Sequence, residues 1–452
     1  MLQPIHSSYT CQMQSGAFAS IALTLAIAPI QAQEPATFTL SGNWEVQVSV
    51  AAPKKIVRTI TIVPPALEPV TTEIYASIPV FNPKSSGWIK GAQLRGVKAQ
   101  ETTSPNLLDA ASFTLRAGAD PDSPAFTVGV DYEIDLTWGT FGRLENGAIK
   151  PGQTVYASYR HARMRLDSIV LTHDNQILTR QGEPRASVPI PPIVNNDERH
   201  LGNIFIPTFI PKLEPEHLFP ILESSYPEHP KSHPTMAERL TPKTIQKLKS
   251  GEPLRILAWG DSVTDGSYLP VKDSRWQEQF VARLRHRYPA ANIGLITEAW
   301  GGRNTSSYLS EPPGSAHNYR EKVLDSKPDL IISEFVNDSA MKPAQVETRY
   351  IKLLADFQAM GAEWIILTPH YVRPDWMGLT RERDIDDDPR PYVAGLREFT
   401  AKHGVALADA SLRYGRLWRQ GIPYNTLMVN AINHPDSRGM RLFADALMEL
   451  FP

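Results

Sequence analysis

Cysteine is almost missing from this chain. One of 452 residues is Cys, at position 11, ahead of an apolar run, so a chain trimmed after that run would have none. Thiol catalysis and a disulfide framework are then excluded. Charge of one sign is missing too: 46 Lys and Arg face 48 Asp and Glu, a formal net charge of −2. That removes the electrostatic reason to expect nucleic acid or an anionic membrane as a partner. The apolar run Ala17–Ile30 is too short, and too interrupted by Pro29, to span a bilayer. With Gln31-Ala32-Gln33 after it, it predicts a signal peptide over residues 1–32 and a secreted or periplasmic protein, although its start holds His6 and no Lys or Arg. A buried apolar strand is the alternative. No His/Asp/Glu cluster has metal-ligand spacing, and no cofactor is expected.

Proline, by contrast, is abundant at 39 residues, and the length suits two domains. Residues 33–186 read as an antiparallel β-sandwich. Asp131–Trp138 alternates polar and apolar, and Phe38–Val50, Lys55–Val63, Thr72–Phe81, Thr154–His161 and Met164–Thr172 are rich in β-branched and aromatic residues. Trp44, Trp88 and Trp138 could stack on sugars there, or sit in the core, the commoner role. Residues 187–250 form a Pro-rich connector. It carries Ile204, Phe205, Ile206, Phe209 and Ile210, so it is expected to lie packed across both domains.

From 251 to 452 strand and helix alternate, as in a doubly wound α/β fold. Strands are expected at Leu254–Trp259, Ile293–Thr297, Asp329–Phe335, Trp364–Thr368 and Val405–Ala408. Ser274 and Gln277 are spaced as a capping box for a helix to Arg287. Pro343 can open a helix that Gly361 closes, and a last helix is expected at about Arg438–Leu450.

The chemistry lies at the ends of these strands. Gly260-Asp261-Ser262, Gly301-Gly302, Asn337-Asp338 and His434 each follow a predicted strand, and ligands bind at the carboxyl edge of such sheets. A serine there is a candidate nucleophile, and a histidine can take its proton. The ordered set resembles the SGNH (GDSL-type) hydrolase family over roughly residues 251–452. Gly260-Asp261-Ser262, Trp300–Thr305, Val336-Asn337-Asp338 and Asn433-His434-Pro435 look like its four blocks. The resemblance implies a flavodoxin-like parallel sheet, Ser262 as nucleophile and His434 as base. It also implies an oxyanion hole made of the Ser262 and Gly302 N–H groups and the Asn337 amide. Two positions depart from the pattern: Phe335 stands where a glycine is usual, and Ala431 where the family has the acid that orients the histidine. Asp436, Asp409 or, in a Ser-His dyad, a backbone carbonyl near Asn430 could replace that acid; the dyad is the preferred expectation. Asp261, Arg303, Arg373 and Trp376 are candidates for substrate contact, the last two on the loop Tyr371–Pro391. Alternatively, that loop's Arg and Asp residues simply pair with one another. The expected activity is removal of small acyl groups, acetyl foremost, from a polysaccharide or glycan. The alternatives are a lipid or aryl esterase, a catalytically weak carbohydrate-binding protein, and an O-acyltransferase.

Overall fold

The apolar run before Ser262 becomes the inner strand of a five-stranded parallel sheet in the computed structural model, which describes residues 34–51 and 55–452. The expected signal peptide lies outside the described residues. The strands are β1 (Pro253–Gly260), β2 (Asn292–Ala299), β3 (Leu330–Glu334), β4 (Glu363–Leu367) and β5 (Ala406–Ala408). Their spatial order is β2-β1-β3-β4-β5, the flavodoxin-like order. The chain runs from β1 outwards to β2 and then across to β3, and this reversal opens a crevice at the carboxyl ends of β1 and β3.

Period-two alternation sends successive side chains into two separate cores. Ile256, Ala258, Leu330, Ile332, Ile365 and Leu367 enter one core with the helices α1 (Trp276–Arg287) and α4 (Ser437–Glu449). Leu257, Trp259, Ile331, Trp364 and Ile366 enter the other with α2 (Pro343–Met360) and α3 (Pro391–His403). Helix α2 opens on Pro343 and ends at Gly361 with φ +78°, the left-handed cap that glycine adopts at least cost. The expected capping box at Ser274 does not form. Arg275 is the residue before the helix, and Gln277 turns inward to donate to the Thr264 carbonyl at 2.7 Å, bracing the turn that carries Ser262. Phe335, in place of the usual glycine, is buried edge-on against Trp259, with ring centroids 4.9 Å apart.

The N-terminal region is antiparallel and strand-rich, as a β-sandwich requires. It is built from small sheets whose strands include Thr37–Gly42, Glu45–Val50, Glu68–Tyr75, Val155–His161 and Arg165–Leu171. Part of the Pro-rich segment 187–250 joins the sheets. Arg199–Ile206 pairs with Arg165–Leu171, and Leu218–Pro220 pairs in turn with Arg199–Ile206. Ile204, Phe205 and Ile206 are therefore strand residues, with Leu201, Ile204 and Ile206 in one core and Phe205 in another, while Phe209 and Ile210 lie beyond the strand. That second core also takes in Trp418 from the α/β region, so the two regions share buried surface. Among the described residues no helix is long and apolar enough to cross a membrane.

Candidate active site

β1 ends at Gly260, where an added Cβ would lie 2.4 Å from the Glu334 carbonyl and 2.2 Å from the Thr264 hydroxyl. Only glycine allows this approach. The chain then turns into a short helix, Ser262–Asp265, capped by the Asp261 carboxylate, which accepts from the Val263 N–H at 3.1 Å. Ser262 is the first residue of that helix, a position whose N–H has no intrahelical acceptor. The expectation that Asp261 touches substrate is corrected by its burial. It is fully enclosed, and its second oxygen accepts from both the backbone N–H and the side-chain amide of Asn337, each at 2.9 Å. It ties the end of β3 to the end of β1. Burial pushes the Asp261 carboxyl up to about 6, and burial raises the neighbouring Glu334 well above its ordinary value.

His434 Nε2 lies 3.0 Å from Ser262 Oγ. The imidazole stacks face to face on Tyr268, with centroids 4.2 Å apart and planes at 5°. Its loop is organised by the Asn430 side-chain oxygen, which accepts from the N–H groups of Ile432, Asn433 and His434 at 3.0, 2.9 and 3.0 Å. The other ring nitrogen, Nδ1, lies 2.7 Å from Glu101 Oε2. The N–H is not well aligned with that oxygen, so the contact is a close polar pair rather than a linear hydrogen bond.

A cavity of about 520 Å³ opens above these groups, lined by Ser262, Gly302, Asn337, His434, Trp376, Trp88 and Glu101 among others. Gly302 has φ +71°, a left-handed turn, and an added Cβ on Gly301 beside it would lie 3.7 Å from Ser262 Cβ. Among the described residues neither the Ser262 nor the Gly302 N–H meets a protein acceptor. Asn337 spends one amide hydrogen on Asp261 and has a second left.

Several expected residues take other partners. Asp409 accepts from Thr368, Arg397 and Ser411, and Asp436 caps α4 and pairs with Arg438. The Asn430 carbonyl accepts from the Thr102 hydroxyl at 2.6 Å. None of the three orients His434. Ala431 takes up a left-handed φ of +54° and lines a separate cavity with Arg373. Arg303 is exposed and lies over Trp300. Arg373 pairs with Asp375 and lies over Trp138, bracing the wall from behind. Elsewhere on its loop, Arg383 donates to the Pro215 carbonyl at 2.9 Å, Asp386 pairs with Arg419, and Asp388 with Arg390. The charges of the loop are thus structural, and Trp376, half exposed, is its contribution to the cavity. The three early tryptophans divide. Trp138 is buried and Trp44 is half-buried, donating to the Pro211 carbonyl at 3.1 Å, while Trp88 faces the cavity 5.9 Å from Trp376. Among the described residues no group of three or more His, Cys, Asp or Glu is placed to hold a metal ion.

Residues 258–442 match the model of the GDSL-like Lipase/Acylhydrolase family. This part of the chain is a GDSL-like (SGNH) carboxylic ester hydrolase domain. No curated protein matches the chain. Similar solved structures include a mutant of Axe2, an acetyl-xylooligosaccharide esterase from Geobacillus stearothermophilus. It is 16% identical with a TM-score of 0.35, over 44% of this chain and 93% of that one. Another is CEX, a two-domain esterase active on acetylated mannans, co-crystallised with mannopentaose. It is 17% identical with a TM-score of 0.38, over 47% of this chain and 53% of that one, so the match spans about half of its length. A third, a member of the lipolytic protein G-D-S-L family from Veillonella parvula, is 18% identical with a TM-score of 0.31, over 44% of this chain and 98% of that one.

Proposed function

We propose that the GDSL-like domain of this protein is a serine esterase that removes small acyl groups, acetyl foremost, from a polysaccharide or glycan outside the cytoplasm. The observation that carries the reading is the 3.0 Å contact of His434 Nε2 with Ser262 Oγ on a cavity walled by two tryptophans. In the first step Ser262 Oγ attacks the ester carbonyl carbon while His434 Nε2 takes its proton. The carbonyl oxygen becomes an oxyanion and accepts from the Ser262 and Gly302 N–H groups and the free amide hydrogen of Asn337. Collapse breaks the bond to the sugar oxygen, which leaves as a hydroxyl with the proton from His434. Water, giving its proton to His434, then attacks the acyl-serine, and the acid departs as Ser262 recovers its proton.

The walls support the carbohydrate reading. Trp88 and Trp376 offer flat apolar faces at the mouth of a cavity whose floor is polar, which suits a sugar ring with its acyl group pointing down. Export rests on the Ala17–Ile30 run. Acetate release from chemically acetylated xylan and mannan, measured against 4-nitrophenyl acetate hydrolysis, tests the assignment. Turnover of the aryl ester without release from any glycan would keep the esterase and remove the carbohydrate.

A further inference from the structure

We propose that Glu101 is the acid that positions His434, so that the catalytic set is assembled from two regions of the fold. The inference rests on the serine esterase reading above. The family's usual position for that acid is Ala431, which lines a different cavity, and the nearer aspartates are committed to other partners. Glu101 Oε2, in contrast, stands 2.7 Å from the ring nitrogen opposite the one that faces Ser262. A carboxylate there holds the proton on Nδ1 and leaves the Nε2 lone pair for the Ser262 hydroxyl. When His434 becomes an imidazolium, the same carboxylate faces the new charge and stays ionised. The contact with His434 holds the Glu101 carboxyl below its ordinary value.

The loop around Glu101 is fastened to the histidine loop on both sides of the acid. Gln100 donates from its backbone N–H to the Val429 carbonyl at 3.2 Å and from its side chain to the Tyr268 carbonyl at 3.0 Å. Thr102 donates to the Asn430 carbonyl at 2.6 Å. The Ala99 N–H closes the turn on the Thr102 carbonyl at 2.9 Å. The strand-rich region thus grips the residues before His434 and the backbone of Tyr268, whose ring stacks on the imidazole, and places one carboxylate between its two grips. The Glu101 side chain is 45% exposed, so solvent screens its Coulomb attraction and its main contribution is to tautomer and orientation. The other groups facing the imidazole are Tyr268 and Ser262. His370 is nearby, accepted by the Asn433 carbonyl at 2.7 Å, and burial holds it well below its ordinary value and so neutral.

The test is the rate at which a fluorophosphonate labels Ser262, followed by intact mass across pH 4–9, in the wild type, Glu101→Gln, Glu101→Asp and Ser262→Ala. Thermal midpoints are recorded for each. The proposal predicts no label on Ser262→Ala and about 100-fold or slower labelling of Glu101→Gln at an unchanged midpoint. It also predicts that Glu101→Asp recovers part of the rate. Wild-type labelling of Glu101→Gln would overturn the role of Glu101 while leaving Ser262 as the nucleophile. A wild type that takes no label at Ser262 would overturn the esterase reading and this inference with it.

Discussion

The two regions furnish the cavity in different ways. In the α/β region each polar group stands just beyond a regular element: Ser262 after β1, Gly302 after β2, Asn337 after β3 and His434 ahead of α4. A parallel sheet with both faces buried holds these positions firmly. In the strand-rich region Trp88 and Ile89 come from a single 3-10 turn, Gly87–Ile89, and Glu101 and Thr102 from an irregular loop between short strands. Hydrogen bonds to the neighbouring region hold the Glu101 loop in place. The difference teaches a division of labour. On the proposed reading the sheet carries the bond-making groups, while the loops orient the base and form the wall, so changes in the two regions should have different kinetic signatures.

Asn337→Ala should act on the chemical step. Removing an oxyanion donor costs on the order of 100- to 1,000-fold in kcat, and here it also releases one tie to Asp261. Steady-state hydrolysis of 4-nitrophenyl acetate checks it, and a kcat within threefold of wild type would remove Asn337 from the oxyanion site. Trp88→Ala should act on binding instead, raising KM for an acetylated oligosaccharide by about tenfold, roughly the 1–2 kcal/mol of one stacked ring. Its effect on the smaller aryl ester should be weaker. Equal KM values on the oligosaccharide would place the sugar elsewhere. Thr102→Val leaves the buried Asn430 carbonyl without its donor and should cost about 1–3 kcal/mol of stability, read as a lower thermal midpoint with a decrease in kcat of a few fold. A midpoint unchanged from wild type would mean the grip on the histidine loop does not depend on that bond.

The same contrast explains what the residues told in advance. The sheet order and the positions of Ser262, Gly302, Asn337 and His434 were legible because period-two apolar runs end in short polar turns, and those turns sit at the strand ends. The acid proposed to position His434 was not. Thr102 and Asn430 are 328 positions apart, and Gln100-Glu101-Thr102-Thr103 reads as an ordinary polar loop. Only the alanine at 431 hinted that an acid had to come from elsewhere. Asp261 was misjudged because a carboxylate beside a nucleophile looks like a ligand contact, whereas its burial makes it a cap and a tie. Trp138 ends an alternating run and Trp88 lies among Ser, Gly and Lys, and tertiary packing makes the first a core residue and the second a wall residue.

The central claim is that Ser262 is the nucleophile of an ester hydrolase. It is tested most directly by comparing the wild type and Ser262→Ala on 4-nitrophenyl acetate. The account predicts that the wild type turns over and that the variant loses on the order of 10,000-fold or more of kcat. Equal turnover by the two proteins would contradict it.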